Sequence, residues 1–578
     1  MKLMIRYVKK YKWLLLLNLL AATGFVIIEL GLPTLLAQVM DVALPNNDFE
    51  AVKKYVFYMS ILTIIGTVGR IAIAYIVTKV TANITYSLRQ DIFRKTRDFS
   101  MTEINKLGIA SMMTRTNNDP YQIMIFLQMA LRLGFVAPLM FITSLIMCIR
   151  VSLTLSSTIL IAVPLIAIGV VTMIHFSEPI SKGQQKSLDS INQIMRESLT
   201  GLRVIRAFVR DKFQQNRFEQ KNDEYTYLSK KMYYLMAIAS PAGSLLFLLL
   251  IASVLWLGSQ QAAVGAIKIG ALSAFIDYLF HTLFSFMLVA NIFGMYPKAA
   301  VSAGRITELL ELEISVDPNI NGIKSSPNAE GGTIRFEQVD FEYSDGEGEK
   351  ILSGITFSVS KGETVAFIGS TGSGKSTLIK LIPRFQDVVS GRVLVNGIDT
   401  RDYNLAALRS QIGFVPQKAM LFTGTIRDNL LLGDADATDE MLYQALEVAQ
   451  AADFVHKLPD GLNHYLAEGG TNLSGGQKQR LAIARALVRK PQIYVFDDSF
   501  SALDYRTDMK LRSELPNYID NATILIVAQR VGTIINADRI IVLDEGQIVA
   551  IGTHQELLKQ SPVYYEIAAS QLSKEELQ

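Results

Sequence analysis

Cysteine is nearly absent. One residue, Cys148, stands in 578, and it lies inside an apolar run. A lone thiol cannot close an intrachain disulfide, so no disulfide framework holds this fold and no oxidising compartment is implied. In such surroundings it reads as a small buried hydrophobe. Charge is scarce too: Asp, Glu, Lys and Arg make up 19% of the chain, against about 25% in ordinary soluble domains. The net charge of +3 leaves no basic footprint for nucleic acid. Half of the residues are hydrophobic and the mean hydropathy is +0.28. That excludes a disordered chain and argues against an all-soluble one.

The abundant feature is the long apolar run, and it is confined to the first half. Residues 1–310 carry a net +14 and residues 311–578 a net −11. A membrane helix needs about 20 mostly apolar residues. Six candidates qualify, near 13–43, 55–79, 128–150, 153–176, 232–260 and 267–297. The start, MKLMIRYVKKYKW, is basic, but the apolar run behind it is too long for a signal peptide and shows no small-residue cleavage site. The start and the stretches 89–115 and 182–231 are rich in Lys and Arg. By the positive-inside tendency the N-terminus is cytoplasmic, and six crossings return the acidic half to the same side of the cell membrane.

Two connections, about 80–127 and 177–231, are polar, basic and poor in helix breakers. They read as membrane helices continuing into the cytosol and turning back. The expected far ends are Met112–Tyr121 and Gly201–Phe213. Within the spans stand Glu29, Arg70, Arg132, Asp277 and His281. Ionisable groups in hydrocarbon are costly and face a bundle interior or a wet cavity. Asp277 and His281, four residues apart, share a helix face on which they can pair; such groups either pair with each other or with backbone, or lie near an interface, or form a polar lining for cationic or amphipathic cargo.

The turn-rich segment 317–332 (DPNINGIKSSPNAEGG) closes a linker over 311–332. Beyond it, from 333 to 578, short β-branched runs alternate with helical segments. Strands are expected at Ile334–Phe336, Thr364–Ile368, Ile412–Val415, Ile493–Phe496, Thr523–Val527 and Arg539–Leu543. The pattern predicts an α/β domain with a parallel sheet behind an all-α membrane domain of six helices. After the run TVAFI comes GSTGSGKST, a match to GxxxxGK[ST]: Gly369, Ser370, Thr371, Gly372, Ser373, Gly374, Lys375, Ser376 and Thr377. Glycines let backbone N–H groups turn inward on phosphate oxygens, and the helix that follows adds a favourable field. Lys375 is suited to the β- and γ-phosphates and Ser376 to Mg²⁺. In IYVFD the run ends on Asp497, placed to hold the same Mg²⁺, with Asp498 next.

The segment NLSGGQKQRLAIARAL (472–487) sets the class. Its LSGGQ resembles the signature of ABC-type ATPases, and with six spans ahead of it the whole chain resembles an ABC half-exporter. The resemblance implies further roles. Tyr343 matches the aromatic that stacks on adenine. Gln417, in FVPQ, matches the glutamine that senses Mg²⁺ and contacts the membrane domain. Ser501–Asp504 (SALD) matches the loop communicating between two sites, and Glu468–Gly470 the segment that meets the coupling helices. A head-to-tail dimer of ATPase domains is implied, with ATP and Mg²⁺ between the phosphate loop of one domain and Ser474, Gly475, Gly476 and Gln477 of the other.

Two positions depart from the pattern. Active members carry a glutamate where this chain has Asp498, and a switch histidine where it has Gln529. Aspartate is shorter by one C–C bond, about 1.5 Å, and a general base must reach its water. Glutamine cannot become a cation. With the binding motifs intact, the chain resembles the degenerate-site subunit of bacterial heterodimeric multidrug exporters. The partner would supply the glutamate and histidine, and the cargo would be an amphipathic drug or a lipid. The alternatives are a homodimeric lipid or peptide exporter and, from another class, an ATP-sensing membrane subunit.

Overall fold

The computed structural model describes residues 2–324, 331–343, 348–519, 521–573 and 577. Part of the expected linker, 325–330, lies outside the described residues. The chain divides into two compact units, Met1–Ile92 with Met113–Leu310, and Phe93–Met112 with Glu311–Gln578.

Among the described residues six helices are long and apolar enough to cross a membrane: Lys2–Ala43, Phe49–Arg97, Ile109–Val151, Leu153–Thr200, Asp211–Ala263 and Ile269–Glu311. Each holds one of the six expected spans. The second has 49 residues, about 70 Å at 1.5 Å per residue, so it runs far beyond a hydrocarbon core of about 30 Å. The first helix ends in a wide turn, Val39–Ala43. There the Asp41 carboxylate accepts from the N–H groups of Gly270 (2.6 Å) and Ala271 (2.8 Å). Those donors open the last membrane helix and have no partner within it.

The third span is interrupted. It consists of Ile109–Leu133 and Val136–Val151, with Gly134 and Phe135 as a turn between them. A side chain on Gly134 would place its Cβ 2.2 Å from the Ala130 carbonyl. In the last turn before the break, the Leu131 carbonyl accepts from Asn18 Nδ2 at 2.8 Å. Near the end of a helix carbonyls lose their intrahelical partners, and an amide from a neighbouring helix supplies one.

Two expectations are corrected. The stretch Met112–Tyr121 is not the far end of the first extension. It lies within the helix Ile109–Leu133. The far end is the short helix Met101–Leu107, closed by Gly108 at φ 74. The run TNNDP reads as a turn, yet Asp119 is 1% exposed and accepts from Ser302 Oγ and Arg305 Nε, both at 2.9 Å. That buried pairing fixes the stretch as helix. Asp119→Ala should therefore cost roughly 2–3 kcal/mol, the range for a charged hydrogen bond, and lower the thermal midpoint of the purified protein, whereas Asp119→Asn should cost less. The second correction concerns His281. Its Nε2 faces the Glu29 carboxylate of the first helix, 3.8 Å away, and not Asp277. Asp277 is exposed.

The second unit contains β1 (Ile334–Phe341), β2 (Leu352–Val359), β3 (Thr364–Gly369), β4 (Ser390–Val395), β5 (Ile398–Asp399), β6 (Ile412–Val415), β7 (Gly424–Thr425), β8 (Tyr465–Leu466), β9 (Ile493–Asp497), β10 (Thr523–Val527), β11 (Arg539–Asp544) and β12 (Gln547–Gly552). A six-stranded sheet runs β12-β11-β3-β10-β9-β6, parallel except for β12. A second sheet, β2-β1-β4-β5, is antiparallel. The expected strand at Ile334–Phe336 thus belongs to an antiparallel layer rather than the parallel sheet. The two layers meet through aromatic rings, with Phe336 stacked on Phe357 at 4.6 Å and Phe357 edge-on to Phe367 at 5.6 Å. Because β3, β9 and β10 are parallel neighbours, their C-terminal loops emerge at one edge, where open α/β sheets bind ligands.

Candidate functional site

Four neighbouring strand ends, those of β3, β10, β9 and β6, build the site. After β3 the loop turns through Gly369 (φ 158), Gly372 (φ 91) and Gly374 (φ 92) into the helix Lys375–Leu381. At Gly374 a Cβ would lie 2.7 Å from Leu352 Cδ2 and 3.1 Å from the Ile351 carbonyl, so no larger residue fits that left-handed position. The Lys375 ammonium is buried and donates to the carbonyls of Gly369 (2.9 Å) and Ser370 (2.7 Å). Burial pushes its pKa down, and the charges of Asp498 and Asp497 oppose that. It stands in the mouth of a loop shaped for anions.

At the end of β9, Asp497 Oδ1 accepts from Ser376 Oγ at 2.6 Å. Asp497 is 2% exposed. Burial raises its pKa, against the Ser376 hydrogen bond and the charges of Lys380 and Lys375. A hydroxyl and a carboxylate side by side are hard oxygen donors, and Mg²⁺ bound to a nucleotide takes one or two such ligands and fills its remaining positions with phosphate and water. The donor set fits that ion. Among the described residues no cluster of three or more His, Cys, Asp or Glu could hold a metal on its own.

The next residue, Asp498, is the centre of a small network. It has φ 47 and donates its N–H to the Val527 carbonyl at 3.0 Å. Its Oδ2 accepts from Gln417 Nε2 (3.0 Å) and from Gln529 Nε2 (2.8 Å). The three residues come from the ends of β6, β9 and β10, so the sheet brings together what the chain separates by 81 and 31 positions. Burial raises the Asp498 carboxyl, the Gln417 and Ser501 hydrogen bonds counter it, and the Asp497 charge adds to it. Tyr343 stands beside the loop, its hydroxyl 3.0 Å from Thr377 Oγ1 and its ring edge-on to Phe341.

The signature residues form a separate structure. Ser474 caps the helix Gly475–Val488, its Oγ accepting from Gln477 N at 3.3 Å. Gln477 Oε1 accepts in turn from Ser474 N at 2.9 Å. This reciprocal box leaves a helix N-terminus open to an anion. Among the described residues, no hydrogen bond joins it to the phosphate loop of the same chain. Asp504 caps the helix Tyr505–Tyr518, and Ser501 Oγ donates to the Asp498 carbonyl at 2.8 Å.

Sequence reading missed two supports. Ser499 Oγ donates to the Val415 carbonyl at 3.0 Å, and Gln479 Nε2 to the Pro416 carbonyl at 3.2 Å. Together they hold the strand end that presents Gln417. A glutamine in mid-helix carries no local signal of burial; Gln479 is 2% exposed only because β6 packs behind it. Near the site lies the corrected end of the first extension. In Met101–Leu107, Thr102 Oγ1 accepts from Gln386 Nε2 at 3.4 Å. Glu103 accepts from the N–H groups of Ser100 (2.6 Å) and Ser315 (3.0 Å). Burial works to raise Glu103, but the hydrogen bonds from Ser100 and Ser315 prevail and hold it below the usual carboxylate range.

Comparison with known proteins agrees with this geometry. Residues 15–287 match the ABC transporter transmembrane region and residues 352–501 the ABC transporter ATPase family. An uncharacterized ABC transporter ATP-binding protein of Mycobacterium tuberculosis is 36% identical over 98% of this chain and 97% of its own length. A multidrug resistance ABC transporter ATP-binding and permease protein of Lactococcus lactis is 30% identical over 99% of this chain and 95% of its own. The structure of a bacterial Atm1-family ABC exporter with ATP bound superposes with a TM-score of 0.76 at 23% identity, covering 98% of both chains. The chain belongs to the ABC transporter family, as a multi-pass half-transporter of exporter fold whose ATPase domain drives transport across a membrane.

Proposed function

We propose that this chain is one half of a heterodimeric exporter of amphipathic small molecules. Its own ATP site turns over slowly, and its Ser474–Gln477 turn completes the competent site of the partner. The observation that carries this reading is the pair of amides on Asp498. An oxygen that accepts from both Gln417 and Gln529 has its lone pairs engaged. The carboxylate keeps its second oxygen, Oδ1, but the side chain is one C–C bond shorter than glutamate and is held by two amides, which supports slow polarisation of a water. Ser376 and Lys375 keep the arrangement for holding Mg²⁺ and phosphate, so binding persists where hydrolysis fails.

Other features support a second half. In the apolar stretch of the helix Asp211–Ala263, Leu245, Leu248, Leu249, Leu255 and Trp256 are exposed, a face that a partner in the membrane would cover. The helix Leu202–Ala207, at the end of the second extension, leaves Val204, Phe208 and Val209 exposed by 60%, 73% and 83%, as a surface that docks on the partner's ATPase domain would. Amphipathic cargo rests on the apolar spans and on the likeness to the Lactococcus lactis protein. The basic start and the basic stretches 89–115 and 182–231 support a cytoplasmic ATPase domain.

The test is affinity purification of the tagged chain from its native membrane in mild detergent, followed by mass spectrometry. The expected result is an equimolar second half-transporter carrying glutamate and histidine where this chain has Asp498 and Gln529. Recovery of this chain alone would overturn the heterodimer.

A further inference from the structure

The membrane unit holds a cavity of about 290 Å³ among its first, second, third and last helices. Glu29, Arg70, Arg132 and His281 all line it, with Phe280 and Phe284. Its charges do not balance. Glu29 faces His281, and Arg70 lies over the ring of Phe25 at 5.2 Å. Among the described residues, neither guanidinium has an ion pair or hydrogen bond within the chain. Two arginines against one carboxylate leave the cavity positive, and Asp277 does not line it. A guanidinium at membrane depth is costly unless an anion or water meets it.

The surroundings fit a ligand with two ends. The third helix is broken at Gly134 and Phe135, between Leu133 and Val136 of the cavity wall, and interrupted backbone at this depth is tolerated where it lines a cavity. The same unit holds a second cavity, of about 550 Å³, lined by Leu30, Leu62 and Met147 among others. That space is apolar and suits an alkyl chain.

We propose that the charged cavity binds the anionic head of an amphiphile, a carboxylate or phosphate held by Arg70 and Arg132, with the start of its chain against Phe280 and Phe284 of the same cavity. The inference rests on the amphipathic-cargo reading and gives that cargo a charge. It replaces the expectation of a cationic cargo. Arginine suits the task because its planar fork pairs with two oxygens of one oxyanion.

The test uses the full-length chain, with any half-transporter that co-purifies, in phosphatidylcholine nanodiscs. Dansyl-labelled undecanoic acid and its methyl ester are titrated and followed by fluorescence. The acid should bind saturably and roughly tenfold more tightly than the ester, as expected for loss of a charge-assisted contact. Arg70→Gln and Arg132→Gln should each remove most of that preference, and the Arg→Lys variants should retain much of it. In the unmodified protein, dodecyl phosphate should displace the acid and dodecyltrimethylammonium should not, a comparison that does not depend on any variant folding. Equal binding of acid and ester, or equal displacement by the two detergents, overturns the proposal. Added phosphatidylglycerol separates two sources of the same head: competition identifies a membrane lipid, and no competition a free amphiphile. ATP-driven movement of the neutral ester would survive if only the anion site were wrong. Absence of any ATP-driven movement beside intact acid binding would instead sink the exporter reading.

Discussion

A Ser474→Asp chain should fold as the parent does and yet cut the ATPase rate of the assembled transporter by roughly 10²–10³-fold, the cost of losing one preorganised donor at a developing charge. Ser474 has two tasks. Its hydroxyl caps the helix Gly475–Val488 by accepting from Gln477 N. On the proposed reading, the same N-terminus also faces the triphosphate bound by the partner. Aspartate caps a helix as well as serine does, so the first task survives. A carboxylate facing a phosphate is repelled, so the second fails. Steady-state ATPase assays beside a thermal melt separate the two. Ser474→Thr, which keeps a hydroxyl and a cap, should retain most of the activity. An Asp variant within a few-fold of the parent would show that this turn meets no nucleotide.

The second large effect is a gain. Asp498→Glu combined with Gln529→His should raise turnover at this chain's own site about 10²-fold, the scale attached to misplacing a reacting group by 1 Å. Both changes are needed because both residues belong to one network: Gln529 Nε2 and Gln417 Nε2 share Asp498 Oδ2. Replacing the aspartate alone leaves the glutamine holding whatever carboxylate arrives, and single effects should not add. The measurement uses a partner whose catalytic glutamate is replaced by glutamine, so that only this site reports. With an unmodified partner, Asp498→Glu alone should change the total rate modestly, since the partner's site carries the flux. No gain in the silenced background would mean that the slow site owes its rate to something other than these two side chains.

Much of this molecule is readable without a structure. The six spans follow from apolar length, and the phosphate loop from glycine spacing between a strand and a helix. Both are local properties. What was misread was decided by contacts distant in the chain. TNNDP carries every residue of a turn, but Asp119 is buried against Ser302 and Arg305, nearly two hundred positions away. Gly108, at φ 74, closes the helix Met101–Leu107 and is the local turn residue of this connection. The antiparallel layer β2-β1-β4-β5 was represented by one expected strand. The expected strand stops at Phe336 where β1 runs on to Phe341, because the bulge between Phe336 and Val339 breaks the two-residue alternation on which strand recognition depends.

Composition and motifs alone carry the reading of a membrane half-transporter with an ATP-binding domain, in which Asp498 and Gln529 stand where the resemblance implies glutamate and histidine. Apolar runs, glycine loops and motif spacing need no knowledge of which faces meet. Packing brings Gln417 and Gln529 to one oxygen of Asp498, sets His281 beside Glu29 rather than its neighbour Asp277, and puts two arginines on one cavity. Those relations depend on the rotation of each helix and the register of each strand. These are set by packing between elements far apart in the chain, and no local pattern records them.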